Sequence, residues 1–212
     1  MNKFIDFQNP AMLYKFFLGL LSVLAWFALA GQLYIIITYR TNSVGATVIQ
    51  YFSYYTILTN LLLAWVCTKL FLKNEDSGNR QQILTAILVY ILTVGLTYNI
   101  ILRSIWEPQG LQLIVDNLLH TIVPAVYLLF WILCVKKNDL KWRDILPWLI
   151  YPFVYLVYVL IRGAISGIYP YPFIDVTHIG YPRALINSVA VTGVILLLSL
   201  FFVWISRFFG RA

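Results

Sequence analysis

A hydroxyl, an imidazole and a carboxylate recur within otherwise apolar stretches of this chain, at spacings that could support acyl transfer. In Tyr54-Tyr55-Thr56-Ile57-Leu58-Thr59-Asn60 the polar residues Thr56, Thr59 and Asn60 fall at i, i+3 and i+4, on one face of a helix. In Asp116-Asn117-Leu118-Leu119-His120 the carboxylate and imidazole are again four residues apart, so Asp116 could orient His120. A threonine hydroxyl is a weak nucleophile and needs a base within hydrogen-bond reach. His120 is the candidate base inside an apolar stretch, and Thr56 the candidate nucleophile, with Thr59 as rival. Asn60, Asn99 or Arg103 could donate to a developing oxyanion. The pattern is permissive, because threonine and asparagine also join helices by hydrogen bonds. Arg103 and Arg162 either snorkel to an interface or hold a carboxylate or phosphate. No H-x-x-x-H or H-E-x-x-H pair is present, so no metal is expected.

These residues must be positioned by membrane helices. Sixty-one per cent of the 212 residues are apolar and only 11% are charged, with a mean hydropathy of +0.83. A soluble domain needs more charge than that to cover its surface. Six stretches approach the roughly 20 apolar residues that span a hydrocarbon core: about 14–39, 47–72, 83–105, 111–135, 145–161 and 184–206. The expectation is an all-α integral membrane protein, one six-helix bundle over residues 1–212. The net charge of +7 sits in short loops, which speaks for membrane orientation rather than nucleic-acid binding. Cys67 and Cys134 lie apart in different spans and indicate neither a disulfide framework nor a zinc site. The halves show no matching broken helices of the kind transporters use.

Lys and Arg set the orientation. Lys3, Lys15, Lys69, Lys73, Arg80, Lys136, Lys137, Lys141, Arg143, Arg207 and Arg211 fall on one side, against Arg40, Arg103, Arg162 and Arg183 on the other. The first side is therefore cytoplasmic, with both termini inside, in a cytoplasmic (inner) membrane. Thr56 and His120 each lie nine residues below the outer entry of their spans, at a matching depth of roughly 13 Å. Asn99, Asn117, Arg103, Asn187 and Ser188 occupy the same outer half, whereas the inner half is plain Leu, Ile and Phe. Intramembrane polar groups are costly, so this one-sidedness predicts a polar cavity opening outward. The proline-bearing Tyr169-Pro170-Tyr171-Pro172-Phe173 would be a stiff lid over it.

The segments Tyr54–Leu62, Leu119–Pro124 and Gly167–Phe173 resemble a family of bacterial six-helix membrane proteins, similar in turn to the androgen-induced and androgen-dependent transmembrane hydrolases of animals. The resemblance implies a threonine hydrolase of fatty acid esters of hydroxy fatty acids, without cofactor. It carries the nucleophile role to Thr56 and the base role to His120. The expectation is an intramembrane lipid-ester hydrolase, with Asn60, Asn99, Arg103, Asn117, Arg162 and Tyr171 binding a lipid-like substrate. The alternative is a non-catalytic lipid-binding or regulatory membrane protein, and, behind it, a small-solute transporter.

Overall fold

The computed structural model describes residues 9–73, 79–137 and 140–209, and these are helical, without strands. Among the described residues, six helical segments are long and apolar enough to cross a membrane: 10–38, 55–72, 80–102, 110–134, 142–166 and 176–208. The chain is an all-α six-helix membrane protein. Lys3 and Arg211, counted above for orientation, lie outside the described residues.

The first span is α1 (Pro10–Thr38). Pro10 occupies the first turn, where its missing N–H is no loss, and the Asn9 side chain accepts from the Ala11 amide at 3.0 Å. Short α2 (Val44–Tyr51) follows, capped by the Ser43 hydroxyl, then α3 (Tyr55–Leu72), the second span. Lys15 donates to the carbonyls of Leu70 and Phe71 at 3.0 and 2.7 Å. It thereby binds the free C-terminal carbonyls of α3, where a cation also suits the helix dipole. The third span is α4 (Arg80–Thr97), continued by a π-helical turn at Tyr98–Leu102. The fourth joins α5 (Gly110–Asn117) to α6 (Val123–Cys134) through a second π turn, Leu118–Ile122. The last two spans are α7 (Ile145–Ser166) and α8 (Val176–Phe209).

Packing centres on α4, where 67% of the most apolar window is buried, against 17% in α7. The deepest side chains include Trp131, Tyr127, Phe130, Leu18 and Leu88. Phenol and indole groups in this core reach polar partners: Tyr127 donates to the Leu84 carbonyl at 3.1 Å, and Trp131 to the Thr85 hydroxyl at 2.9 Å. Ser22, Thr93, Ser188 and Ser199 each return their hydroxyl to the carbonyl four residues back, so they are satisfied within their own helix.

Two interruptions depart from the expected spans. The second span was expected to run unbroken from 47, but the chain leaves the helix at Phe52–Tyr54 and restarts at Tyr55. The Ser53 amide turns to the Gln50 carbonyl at 3.0 Å, and the Ser53 hydroxyl satisfies the Ile49 carbonyl that the break releases, at 2.6 Å. The last span starts at Val176 rather than 184 and is broken at Gly180. There φ is 74° and ψ 159°, a conformation essentially confined to glycine. The two breaks lie in the second and sixth spans, so they do not form the matched pair of an inverted-repeat transporter.

Candidate functional site

The break in the second span places Thr56 in the first turn of α3, where backbone amides have no partner within the helix. Tyr54 is the N-cap and supplies no side-chain hydrogen bond. A phenol from another segment does so instead: the Thr56 amide donates to the Tyr171 hydroxyl at 3.3 Å, and the Thr56 and Tyr171 hydroxyls lie 3.3 Å apart. Tyr171 is held by an edge contact with Tyr54 and by stacking on Phe173, 5.2 Å between ring centres. Burial pushes its phenol up to about 12, against the opposing effect of the Thr56 hydrogen bonds, so near neutrality it is an uncharged hydroxyl. On the other side of the break, Tyr155 donates to the Ser53 carbonyl at 2.9 Å, and the Tyr158 hydroxyl lies 3.2 Å from that of Ser53. Tyr151, Tyr155 and Tyr158 share one face of α7 by spacing, and that face latches the fifth span to the break.

His120 is positioned by the consequence of a proline. Pro124 has no N–H, so it cannot bond the His120 carbonyl one turn back, and the helix widens there into a π turn. The Asn99 amide donates to that carbonyl at 3.2 Å, to the Gly95 carbonyl at 2.9 Å and to the Thr121 hydroxyl at 3.3 Å. Arg103 in turn donates to the Asn99 oxygen at 2.8 Å. Gly95 permits this approach of the third and fourth spans: a Cβ there would stand 3.1 Å from the His120 carbonyl oxygen and 3.3 Å from Pro124 Cβ. The imidazole stacks on Tyr98, with ring centres 4.1 Å apart and an interplanar angle of 14°.

The imidazole's tautomer follows from its partner. Nδ1 lies 2.9 Å from the Asp116 backbone carbonyl, which can only accept, so Nδ1 carries the proton and Nε2 a free lone pair. The Asp116 carboxylate oxygen is farther, at 3.4 Å. The nearer partner of Nδ1 is thus the Asp116 main chain rather than the carboxylate expected from the i, i+4 spacing.

Two cavities meet at these residues. A chamber of about 570 Å³ is lined by parts of α1, α2, α5 and the 170–172 loop, with Arg40, Gln50, Trp106 and Asp116 among its walls. A narrower slot of about 80 Å³ runs between α4, α7 and α8. Thr56, Tyr98, Leu102, His120 and Tyr171 line both, and form the partition between them.

The other sequence candidates are placed elsewhere. Thr59 is fully buried, its hydroxyl 3.0 Å from that of Tyr151, and it lines neither cavity. Asn60 is fully buried and donates to the carbonyls of Thr56 (2.9 Å) and Leu119 (3.4 Å), joining the second span to the fourth. Asn117 donates to the Leu113 carbonyl within its own helix. Neither Arg103 nor Arg162 lines the chamber or the slot, so the structure brings neither to the place where it could hold a substrate anion. Arg162 instead donates to the Ile168 carbonyl at 3.0 Å, beside a separate groove with Ile161 and Ile165. His178 pairs with Asp175 at 2.8 Å on an exposed turn. That carboxyl is held below its ordinary value chiefly by the Thr177 hydroxyl, with His178 adding to it. Asn187 donates to the Phe173 carbonyl at 2.8 Å, tethering the loop that carries Tyr171. Among the described residues no cluster of three or more His, Cys, Asp and Glu could hold a metal ion.

Sequence reasoning passed over Tyr98, Tyr151, Tyr155 and Arg40. A signal for two of them was present in the single-face spacing of tyrosines along α7, which is unusual for a lipid-facing helix. Comparison of the chain with models of known families, with curated proteins and with solved structures finds no match.

Proposed function

We propose that the chain is an intramembrane hydrolase of lipid-like carboxylic esters, with Thr56 as nucleophile and His120 as base. The observation that carries this reading is the shared partition. Thr56 and His120 face the same two cavities, and the Nδ1 proton of His120 is already engaged, which leaves Nε2 to accept another. In the proposed reaction Thr56 Oγ1 attacks the ester carbonyl carbon while its proton passes to His120 Nε2. The bond from that carbon to the alcohol oxygen then breaks, and the departing oxygen takes the proton from His120. Water attacks the resulting acyl-threonine; one of its protons passes through His120 to the Thr56 oxygen, and the acid leaves. The Tyr171 hydroxyl, which accepts from the Thr56 amide and keeps its own proton to give, is the donor suited to the oxyanion. The resemblance to the animal threonine hydrolases supports the same two roles.

One observation favours the non-catalytic lipid-binding reading: the hydroxyl of Thr56 is bonded to Tyr171, and among the described residues it shares no hydrogen bond with His120. A fluorophosphonate bearing an alkyl chain separates the two. The hydrolase is expected to be labelled covalently, with labelling lost in His120→Ala and kept in Thr59→Ala. An unlabelled wild-type chain in a folded, lipid-embedded state favours the binding reading.

The lysine-rich ends of the helices converge on one side of the bundle, where Lys15 meets the end of α3 and Arg207 stacks over Trp142. We assign that side to the cytoplasm and the chamber to the extracytoplasmic face of the inner membrane. A cysteine at Gln109 is then expected to react with an impermeant maleimide on intact cells, and one at Ser77 only after permeabilisation. The reverse pattern overturns the orientation.

A further inference from the structure

We infer that the alcohol half of the substrate is a neutral polyol, seated in the large chamber while the acyl chain occupies the slot. The inference rests on the hydrolase reading only for which bond is broken at the partition.

The chamber brings together four carboxamides, Gln32, Asn42, Gln50 and Gln112, from α1, the loop after it, α2 and α5. A carboxamide offers both donors and an acceptor. That is the combination a row of hydroxyls requires, since each hydroxyl both donates and accepts. Gln112 donates to the Gln32 oxygen at 2.9 Å, which fixes the two amides side by side across α1 and α5. Aromatic faces are at hand in Tyr39, Tyr54 and Trp106, against which the C–H surface of a polyol can rest.

The charges exclude the obvious competitors. Only Arg40 and Asp116 carry formal charge in the chamber lining, and they are of opposite sign. Arg40 is partly engaged, donating to the Ile37 carbonyl at 2.6 Å, whereas the Asp116 carboxyl is 5% exposed. An anionic headgroup would meet this carboxylate with one half-occupied guanidinium to offset it. A cationic one would meet the arginine. An apolar alcohol would displace water from the amides and leave them without partners.

The slot has the opposite character. Val94, Leu156, Val191 and Ile195 form its walls. The hydroxyls of Thr93, Ser188 and Thr192, which also line it, are already bonded to carbonyls of their own helices. They therefore offer little to a polar ligand, and the slot suits an alkyl chain. With Thr56 and His120 between the two spaces, an acyl ester of glycerol or a similar polyol presents its carbonyl at the partition.

The test uses the full chain in lipid nanodiscs and begins with binding, which needs no turnover. The probes are a 1-O-alkylglycerol, the alkyl methyl ether and the alkanoate, all of equal chain length and none hydrolysable. The glycerol ether is expected to bind at least about tenfold more tightly than either competitor, because a site built for hydroxyls penalises their absence. Gln50→Leu is expected to remove most of that preference. Equal or weaker binding of the glycerol ether by the wild-type chain overturns the inference, whatever the chain hydrolyses. In parallel, kcat/KM for a 1-acylglycerol is expected to exceed that for the methyl ester of the same acid by at least about tenfold. Preference for the methyl ester overturns the polyol assignment and leaves the hydrolase reading standing. Selective binding of the glycerol ether with no hydrolysis of any ester supports the polyol chamber and sinks the hydrolase reading.

Discussion

Thr56→Ala and His120→Ala should each lower ester hydrolysis by about 10²- to 10⁴-fold, the range expected for removal of a general base or of the group it activates. The double variant should be little worse than either single one, since nucleophile and base act as a unit. Thr56→Ser should keep measurable activity, because the hydroxyl survives and only the β-methyl is lost. Thr59→Ala removes a hydroxyl that faces Tyr151 rather than a cavity, so its effect should be on packing, about 1 kcal/mol or less. The contrast between two threonines one turn apart on the same helix makes the experiment discriminating. A loss of insertion would strike both alike, whereas a loss of chemistry strikes Thr56 alone. Full activity in Thr56→Ala with a severe effect in Thr59→Ala would transfer the nucleophile role. Full activity in both would leave a binding protein.

The second large effect is expected at a residue that lines neither cavity. Asn99→Leu keeps the approximate volume but removes the amide that serves the carbonyls of His120 and Gly95. Because Pro124 cannot restore the bond to His120, that carbonyl is left without its amide donor. The penalty should be about 0.5–1.5 kcal/mol, read as a lower thermal midpoint in detergent. Activity should fall further than stability alone explains, about 10²-fold, because the stack of His120 on Tyr98 rides on the same π turn and small misplacements of a catalytic group are costly. Arg103→Gln provides the comparison: its bond goes to the Asn99 side-chain oxygen and not to the carbonyl that Pro124 releases, and its loss should cost well under 1 kcal/mol. Equal effects of the two substitutions would mean that Asn99 supports His120 no more than any polar residue at that end.

The fold was largely legible from the sequence because a membrane span announces itself by length and apolarity, and the charged loops bound it. Six spans were expected and six helices of suitable length are present. The break at Phe52–Tyr54 was not legible. What supports it is tertiary: phenols from α7 and the 171 loop satisfy groups the break exposes, while the Ser53 hydroxyl covers the Ile49 carbonyl. A sequence window holding Tyr51, Phe52, Tyr54 and Tyr55 reads as continuous apolar helix. The depth argument that paired Thr56 with His120 assumed such a helix. The two residues nonetheless line common cavities, and they do so by the break and by the π turn, neither of which enters a count along an ideal helix.

The candidate site was legible in residue type more than in role. His120 stood out as the histidine within a span, and Pro124 was visible four residues on, but the pairing of Asn99 with the carbonyl that Pro124 releases required the third span to be brought alongside. The i, i+4 relation of Asp116 and His120 correctly made them neighbours. Spacing cannot tell a carboxylate from the carbonyl of the same residue, and here the carbonyl is the nearer partner. Arg103 and Arg162 were plausible anion holders by charge and depth, yet each is directed to a neighbouring oxygen. Arg40, at the end of the first span, reaches the chamber instead.

The central claim, that Thr56 carries the acyl group between attack and release, is tested most directly by trapping that group. The full chain in nanodiscs would be mixed with an activated acyl ester, quenched in acid within the first turnover, digested and mapped by mass spectrometry. The account predicts the acyl mass on the peptide containing Thr56, fragment ions placing it on that residue, and its disappearance in His120→Ala. Steady ester turnover with the acyl mass on Thr59, or on neither threonine, would contradict it.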